Sequence, residues 1–553
     1  MSHELKIIIL PPDMSWDSIL KKPYREYLEV LIPAFLKNCR WFGGKAKTIS
    51  LARIADIDVL PTGSGRTRFV TINVFYDDGP KEEYFFPLSF RFTGRNQRTN
   101  EISSSMILAR LQIGSKAGII YDATCDPVFM EDCFCSIGQG DVERARKKHL
   151  RGIPGKSLQY WFDGCLPVPE PRLLQKEQSN TSFVYGDDYI FKLYRRRTDG
   201  INPEVEMIRF LTEDAGFTHI APFAGLIELT PPDSSPVTIG LLQSFIKHIN
   251  DGWTYSLKRA GYCLAHPPSG KSVNITHPPT LPRPGVSDNL PSPLIRNWIG
   301  EEYLAEIELL GRRTAQLHQA LSSKSEIPAF APEPYSLTDR EEHLRSSLSL
   351  LKNTLLLLEK SENRLPPEVR AEARQLREKS SAFIDRLHQI TDLSSSGMKI
   401  RIHGDYHLGQ ILRTGDDFTI IDFEGEPARS IIERRRKRSP LIDVAGMIRS
   451  FHYAAYGAIF LGVDPDPERI NILPPLAEDW YQTVSDTFLR SYLGEMSRGE
   501  VDLLPDNPED LELLLEFFIL EKTIYELNYE LNNRPEWVII PLRGIISPPQ
   551  SLP

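Results

Sequence analysis

The feature that most constrains this chain is the stretch Arg401–Arg429, RIHGDYHLGQILRTGDDFTIIDFEGEPAR. Two short apolar runs flank the turn residues Thr414-Gly415-Asp416-Asp417, a pattern that predicts a hairpin. The hairpin folds its strand ends together. Asp405 and Gln410, before the first strand, can then approach Asp422 at the end of the second.

Converging carboxylates and an amide have a specific chemical use. Phosphoryl transfer needs one carboxylate to take the proton of an incoming hydroxyl, and an amide and a second carboxylate to hold magnesium against nucleotide phosphates. The protein-kinase pattern is H-R-D-x-x-x-x-N followed by D-F-G. Here it is H-G-D-Y-H-L-G-Q followed by D-F-E. His403, taken alone, reads as a buried histidine holding the loop.

Upstream residues extend the pattern. The segment 173–196 reads as strand, polar turn, strand, Gly-Asp-Asp turn, strand. Its polar turn, Ser179-Asn180-Thr181-Ser182, can cover phosphates with N–H groups and hydroxyls. Lys192 alternates with apolar neighbours in the third strand; taken alone it is an edge lysine, and in a kinase it would face the phosphates. Asn202-Pro203 then opens a helix that runs to Gly216. A kinase needs a glutamate here to pair with the lysine. Helical spacing favours Glu204, with Glu206 as the alternative. The run 238–253 occupies the hinge position by order, where backbone groups near Gln243 and Phe245 would meet adenine.

A chain of 553 residues exceeds one core and predicts several units. The expected class is α+β: a bilobal, protein-kinase-like arrangement with a β-rich half followed by a mainly helical one. Residues 1–150 read as an N-terminal α+β cap subdomain on an antiparallel sheet, with a hairpin at 68–76 and 82–90. Helical spacing over 15–40 is broken at Pro33. Residues 151–250 form the small β-rich ATP-binding lobe, 251–297 the hinge and insertion, and 298–553 the helical C-lobe. The segment 266–293 holds eight prolines and reads as a solvated insertion. Helices are expected at 298–321, 340–360, 369–390, 480–496 and 507–533.

The net charge of −9 gives the chain as a whole no attraction to nucleic acid or anionic lipid. No run of eighteen apolar residues suggests a membrane span, and no secretory signal is evident, so a cytoplasmic location is expected. The six cysteines are sparse and irregular, as reduced thiols are, and the lone Cys133-x-Cys135 reads as inert. Arg40–Ile49, RWFGGKAKTI, reads as a turn into a strand, because it lacks the spacing of a Walker loop. The basic run Arg434–Arg438 reads as a solvated loop or a chance nuclear-localisation match, or equally as a surface for phosphates or an acidic partner. Asp443 and Arg449, in the next helix, suit a structural ion pair or a substrate contact.

HGDYHLGQIL, IDFEGEPAR, ERRRKRSPLIDVAGMIRSFHYAA, EQSNTSFVYGDDYIFKLYRR with INPEVE, RWFGGK and YELNYELNNRPEWVIIPL together resemble maltokinase. Similar domains occur alone or fused behind trehalose synthase. The resemblance spans most of the chain apart from the Pro-rich insertion and parts of 90–165. It implies an aminoglycoside-phosphotransferase-type kinase fold with an added cap, and ATP- and Mg2+-dependent conversion of maltose to maltose 1-phosphate for α-glucan (glycogen) synthesis. Under it Asp405 is the base, Gln410 and Asp422 are the metal ligands, and Lys192 is the phosphate lysine. Tyr525, Tyr529, Glu530 and Arg534 would form the sugar wall, with His407, Glu424 and Arg449 as further acceptor contacts. The expected partners are maltose and, for some members, trehalose synthase. The chain departs from the compact standalone members in its length and in its insertion.

Overall fold

The computed structural model describes residues 7–61, 63–93, 102–140, 150–163, 167–174, 180–230, 235–268, 292–427, 429–462 and 473–546. The chain divides into two units, one of residues 1–213 and 221–247, the other of 214–220 and 248–553. The Pro-rich stretch 269–291 lies outside the described residues.

Among its described residues the first unit contains two six-stranded sheets. The first is built from β1 (Ile7–Leu10), β2 (Ile49–Asp58), β3 (Arg68–Tyr76), β4 (Glu82–Phe92), β5 (Ile107–Ile113) and β6 (Lys116–Asp122), in the order β1-β5-β6-β4-β3-β2. β3 and β4 form the expected hairpin. The sheet is not wholly antiparallel as expected, because β1 runs parallel to β5. Joining adjacent antiparallel strands takes only a short turn; β1 precedes a long excursion, which permits the parallel edge.

The helix Arg25–Asn38 runs through Pro33, correcting the expected break. Leu28, Ile32, Phe35 and Leu36 bury against Val70, Ile72 and Phe86 of the sheet. Each such side chain stabilises the fold by about 1.5–3 kcal/mol. Together they outweigh the roughly 3 kcal/mol that a proline costs in a helix interior.

The second sheet comprises β7 (Leu150–Pro154), β8 (Pro171–Leu173), β9 (Thr181–Tyr185), β10 (Tyr189–Leu193), β11 (Phe223–Leu229) and β12 (Val237–Ser244), in the order β7-β11-β12-β10-β9-β8. Its core is shared with the first sheet: Phe69 and Phe85 of β3 and β4 join Phe183, Tyr185 and Phe191. Helix Pro127–Gly138 adds Met130, Cys133, Phe134 and Ile137 to that core. Beyond β10 the chain lies along β4, where the Phe85 amide donates to the Arg195 carbonyl at 2.7 Å and the Arg197 amide to the Glu83 carbonyl at 2.8 Å.

Arg195 is fully buried at this seam. Its Nη2 donates to Asp122 Oδ2 at 2.8 Å and Thr124 Oγ1 at 3.0 Å, and its Nε to Thr181 Oγ1 at 2.8 Å. Packing and charge therefore join the regions 1–150 and 151–250 into one unit. Cys39, Cys125, Cys133, Cys135 and Cys263 are all free thiols. Burial raises the pKa of Cys133.

The second unit is mainly helical. Its long elements are Gly252–Ala265, Glu301–Leu321, Leu337–Ser361, Leu441–Gly462, Leu473–Met496 and Pro508–Asn533. Val444, Met447, Ile448 and Phe451 make Leu441–Gly462 apolar enough to run through the interior, packed by Leu473–Met496 and Pro508–Asn533. The region 369–390, expected as one helix, is two: Pro367–Glu378 and Ser380–His388. A small sheet of Asn250–Asp251, Ile411–Thr414 and Asp417–Ile420 contains the expected hairpin. Among the described residues, no helix is long and apolar enough to cross a membrane.

Candidate active site

In the second unit, the loop His403–Gln410 is held from behind by buried groups. Asp443 is 1% exposed and accepts the N–H groups of His403 at 2.8 Å and Gly404 at 2.9 Å. His318 Nε2 stands 3.2 Å from the same carboxylate, and Tyr492 holds the other ring nitrogen at 2.9 Å. Burial alone would raise the Asp443 pKa, but His318 and the donated N–H groups leave it lowered. Of the two roles open to Asp443 in the sequence, the geometry is structural.

His403 is the loop holder expected from its motif. Its Nε2 donates to the Ile421 carbonyl at 2.9 Å, so Nδ1 is free to accept the Asp405 N–H at 3.4 Å. Its ring packs on Tyr406 and Phe423. The buried Tyr406 hydroxyl lies 2.8 Å from Thr314 Oγ1. Gly404 takes a φ of +80° where the chain turns to present Asp405, a conformation that favours glycine.

The Leu408–Gln410 turn presents Gln410, whose Nε2 donates to Asp422 Oδ2 at 3.2 Å. The Ile421 amide donates to the Gln410 carbonyl at 3.0 Å, fixing the approach of the two segments. Asp422 has a φ of +65°, the left-handed region that a non-glycine residue enters at a cost of roughly 1–3 kcal/mol. Turning the Gln410 amide over would place its oxygen beside the Asp422 carboxylate. Hard oxygen donors of that kind suit a magnesium ion.

Two further groups face Asp405. His407 Nε2 lies 4.0 Å from Asp405 Oδ2 and 3.5 Å from Gln410 Nε2. Packing lowers the His407 pKa; Asp405 opposes this, and Lys522 and His403 reinforce it. Lys522 Nζ lies 3.8 Å from Asp405 Oδ1 and 5.0 Å from the centre of the Tyr525 ring. Lys522 escaped the sequence reading. Its spacing was the available clue, because a residue three before Tyr525 shares its helix face.

The expected sugar wall is partly occupied by its own contacts. The Tyr525 hydroxyl donates to Glu426 Oε1 at 2.5 Å; burial and that carboxylate raise its pKa. Glu530 is 1% exposed and accepts Arg534 Nε at 2.9 Å, Arg534 Nη2 at 2.7 Å and the Tyr453 hydroxyl at 3.2 Å. Arg534 also lies over the rings of Tyr529 and Trp537. Tyr529, at 45% exposure, offers an open aromatic face. Arg449 is buried and paired with Glu526 at 2.8 Å, the structural alternative named for it. Glu424 follows Asp422 closely, and its carbonyl accepts Arg434 Nη1 at 3.2 Å.

The first unit carries the strand lysine. Lys192 Nζ lies 3.0 Å from Glu204 Oε2, and the Tyr194 hydroxyl donates to the same oxygen at 2.6 Å. Glu204 is 2% exposed, and the ion pair with Lys192 is made by the residue that helical spacing favours. Asn202 caps the helix as expected, accepting the Val205 N–H at 3.2 Å. Glu206 sits in the helix's first turn.

The phosphate-turn expectation needs correction in its position. Ser179 lies outside the described residues, Asn180 immediately precedes β9, and Thr181 and Ser182 belong to that strand. Both are buried, and Thr181 is engaged by Arg195, because the alternation that brings Phe183 and Tyr185 to the core begins earlier than the polar composition suggests. Gln243 Nε2 donates to the Ala221 carbonyl at 3.3 Å, and the Phe245 amide to the Asp188 carbonyl at 2.8 Å. The Phe245 N–H is thus already used within the unit.

Comparison with known proteins agrees with this architecture. Residues 35–126 match the maltokinase N-terminal cap domain. The chain therefore combines a kinase-like α+β fold and a helical C-terminal part with a maltokinase-type cap. Its broader likeness is to glucosamine kinases. One from Streptacidiphilus jiangxiensis is 23% identical over 385 residues, covering 69% of this chain and 74% of that protein. One from Mycolicibacterium smegmatis is 20% identical over 371 residues, covering 67% and 77%. A glucosamine kinase solved with glucosamine, ADP and inorganic phosphate superposes with a TM-score of 0.60 at 17% identity, covering 96% of this chain and 98% of that one.

Proposed function

We propose that this protein is an ATP-dependent sugar kinase whose acceptor is maltose and whose product is maltose 1-phosphate, a precursor for α-glucan synthesis. The observation that carries the phosphotransfer reading is the convergence of Asp405, Gln410 and Asp422, with Gln410 Nε2 and Asp422 Oδ2 at 3.2 Å. The maltokinase-type cap supports maltose as the acceptor.

In this reading the anomeric hydroxyl oxygen attacks the γ-phosphorus, the bond to the ADP oxygen breaks, and the hydroxyl proton passes to Asp405. The Glu204 carboxylate orients Lys192, whose ammonium would meet the nucleotide phosphates. Gln410 and Asp422 would hold Mg2+, which supplies charge neutralisation for the phosphates. Tyr529 offers an aromatic face of the kind that stacks on sugar rings. Lys522 places its ammonium 3.8 Å from Asp405 Oδ1, beside the proposed proton acceptor. A cytoplasmic location and an association with trehalose synthase belong to the same proposal.

A second acceptor, glucosamine, is favoured by the likeness to glucosamine kinases along most of the chain. A coupled ADP-release assay over maltose, glucosamine, glucose and aminoglycosides distinguishes the two. Turnover with maltose at a kcat/KM well above the others supports the leading reading. Turnover with glucosamine and none with maltose overturns it.

A further inference from the structure

The basic run Arg434–Arg438 borders a cavity of about 660 Å³ in the second unit. A smaller cavity of about 80 Å³ shares Arg429, Arg438 and Glu521 with it and reaches Gly404 and Lys522 beside the Asp405 loop. The larger cavity's wall carries more cations than carboxylates.

Most of these charges are matched within the protein. Lys437 is bound by Glu333 at 2.6 Å and by the Pro328 carbonyl at 2.7 Å. Lys399 is bound by Asp339 at 2.7 Å, and Arg436 by Glu342 at 3.0 Å. The Glu521 carboxylate is taken by His343 at 2.9 Å and Ser347 at 3.0 Å. Arg429 and Arg438 are different. Among the described residues, neither guanidinium makes a hydrogen bond or an ion pair within 4 Å, yet both line both cavities.

Holding two partly buried guanidiniums together with no anion within ion-pair distance is unfavourable. The effect is visible in Arg438: burial and the neighbouring Arg429 and Arg436 push its pKa down to about 10, with Glu521 and Glu433 compensating only in part. An anion placed between them would remove that penalty and gain charge-assisted, fork-shaped hydrogen bonds.

We propose that this cavity is a binding site for a phosphate dianion, held by Arg429 and Arg438, near Gly404 of the loop that carries Asp405. The chemistry is that of a phosphate monoester or of free phosphate. Its lining residues all belong to the second unit, and the proposal does not depend on the phosphotransfer reading.

Isothermal titration calorimetry on the full chain at constant ionic strength tests it, with glucose 6-phosphate, inorganic phosphate and neutral glucose as probes. Saturable binding of a phosphate probe, no binding of glucose, and at least tenfold weaker phosphate binding in Arg429→Gln and Arg438→Gln are expected. Lys192→Met should leave that binding unchanged. Tighter binding of glucose 6-phosphate assigns the cavity to a phosphorylated sugar; equal or tighter binding of inorganic phosphate assigns it to the free ion. Absence of saturable binding by either, or binding unaltered in both arginine variants, overturns the proposal. Should Arg438→Gln fail to fold, Arg429→Gln, on the loop before Ser430, decides the matter alone.

Discussion

Asp443 holds Gly404: its Oδ1 accepts the Gly404 N–H at 2.9 Å, while its Oδ2 accepts that of His403 at 2.8 Å. An asparagine can accept with only one oxygen, so Asp443→Asn leaves a buried N–H facing an NH2 group. Expected outcomes are a loss of about 2–4 kcal/mol of stability in urea unfolding and a fall in kcat larger than any change in KM for ATP. Full stability with normal turnover would contradict the bracing role.

Asp405→Asn removes the proposed proton acceptor without changing its size. Phosphorylation should fall at least about 100-fold, while ADP binding measured by calorimetry stays within a few-fold of wild type. Unchanged turnover would rule Asp405 out as the base.

Asp422 separates strain from chemistry. Its φ of +65° is one that glycine adopts freely, so Asp422→Gly should keep thermal stability within about 1 kcal/mol of wild type. Activity should nonetheless be lost, and added Mg2+ should not restore it. An active Asp422→Gly enzyme would remove this carboxylate from the proposed metal site.

Glu204→Gln breaks the partnership with Lys192 at 3.0 Å and leaves a mostly buried ammonium without its carboxylate. The variant should show a several-fold higher KM for ATP and a stability loss of about 3 kcal/mol. Glu206→Gln, on the same helix, should change neither by a comparable amount.

Glu521 sets an acid limit on stability. Burial by itself would raise its pKa, but His343 and Arg429 bring it to about 2. A depressed carboxylate contributes stability above its unfolded value of about 4.3 and loses it as pH falls toward the folded value. Melting temperature should therefore drop between about pH 4.5 and 2 through a contribution on the order of 3 kcal/mol. In Glu521→Gln that part of the curve should flatten; an unchanged slope would mean another group is responsible.

Much of this protein was legible because its constraints are local. The 411–420 hairpin follows from apolar runs around a Thr-Gly-Asp-Asp turn, and the helix at Pro203 from its asparagine cap. Glu204 was favoured over Glu206 by helical spacing alone, and the ion pair follows that spacing. Local rules failed where distant packing competes with them. Pro33 stays inside a helix because the apolar face beneath it is worth more than the hydrogen bond it removes. Thr181 and Ser182, polar enough for a turn, are strand residues because Arg195 meets the Thr181 hydroxyl and β10 pairs with Ser182.

The residues 401–429 alone determined which side chains could perform phosphoryl transfer, since turn chemistry and spacing act over a few residues. Only the tertiary structure decided how those groups are held and what surrounds them. Asp443 is 38 residues beyond Asp405 and Lys522 more than a hundred, and neither spacing has a local periodicity to reveal it. Burial and Coulomb interactions depend on distance through space. It is that distance, set by packing around the interior helix Leu441–Gly462, that places Lys522 3.8 Å from Asp405 and leaves Arg429 and Arg438 side by side at a cavity.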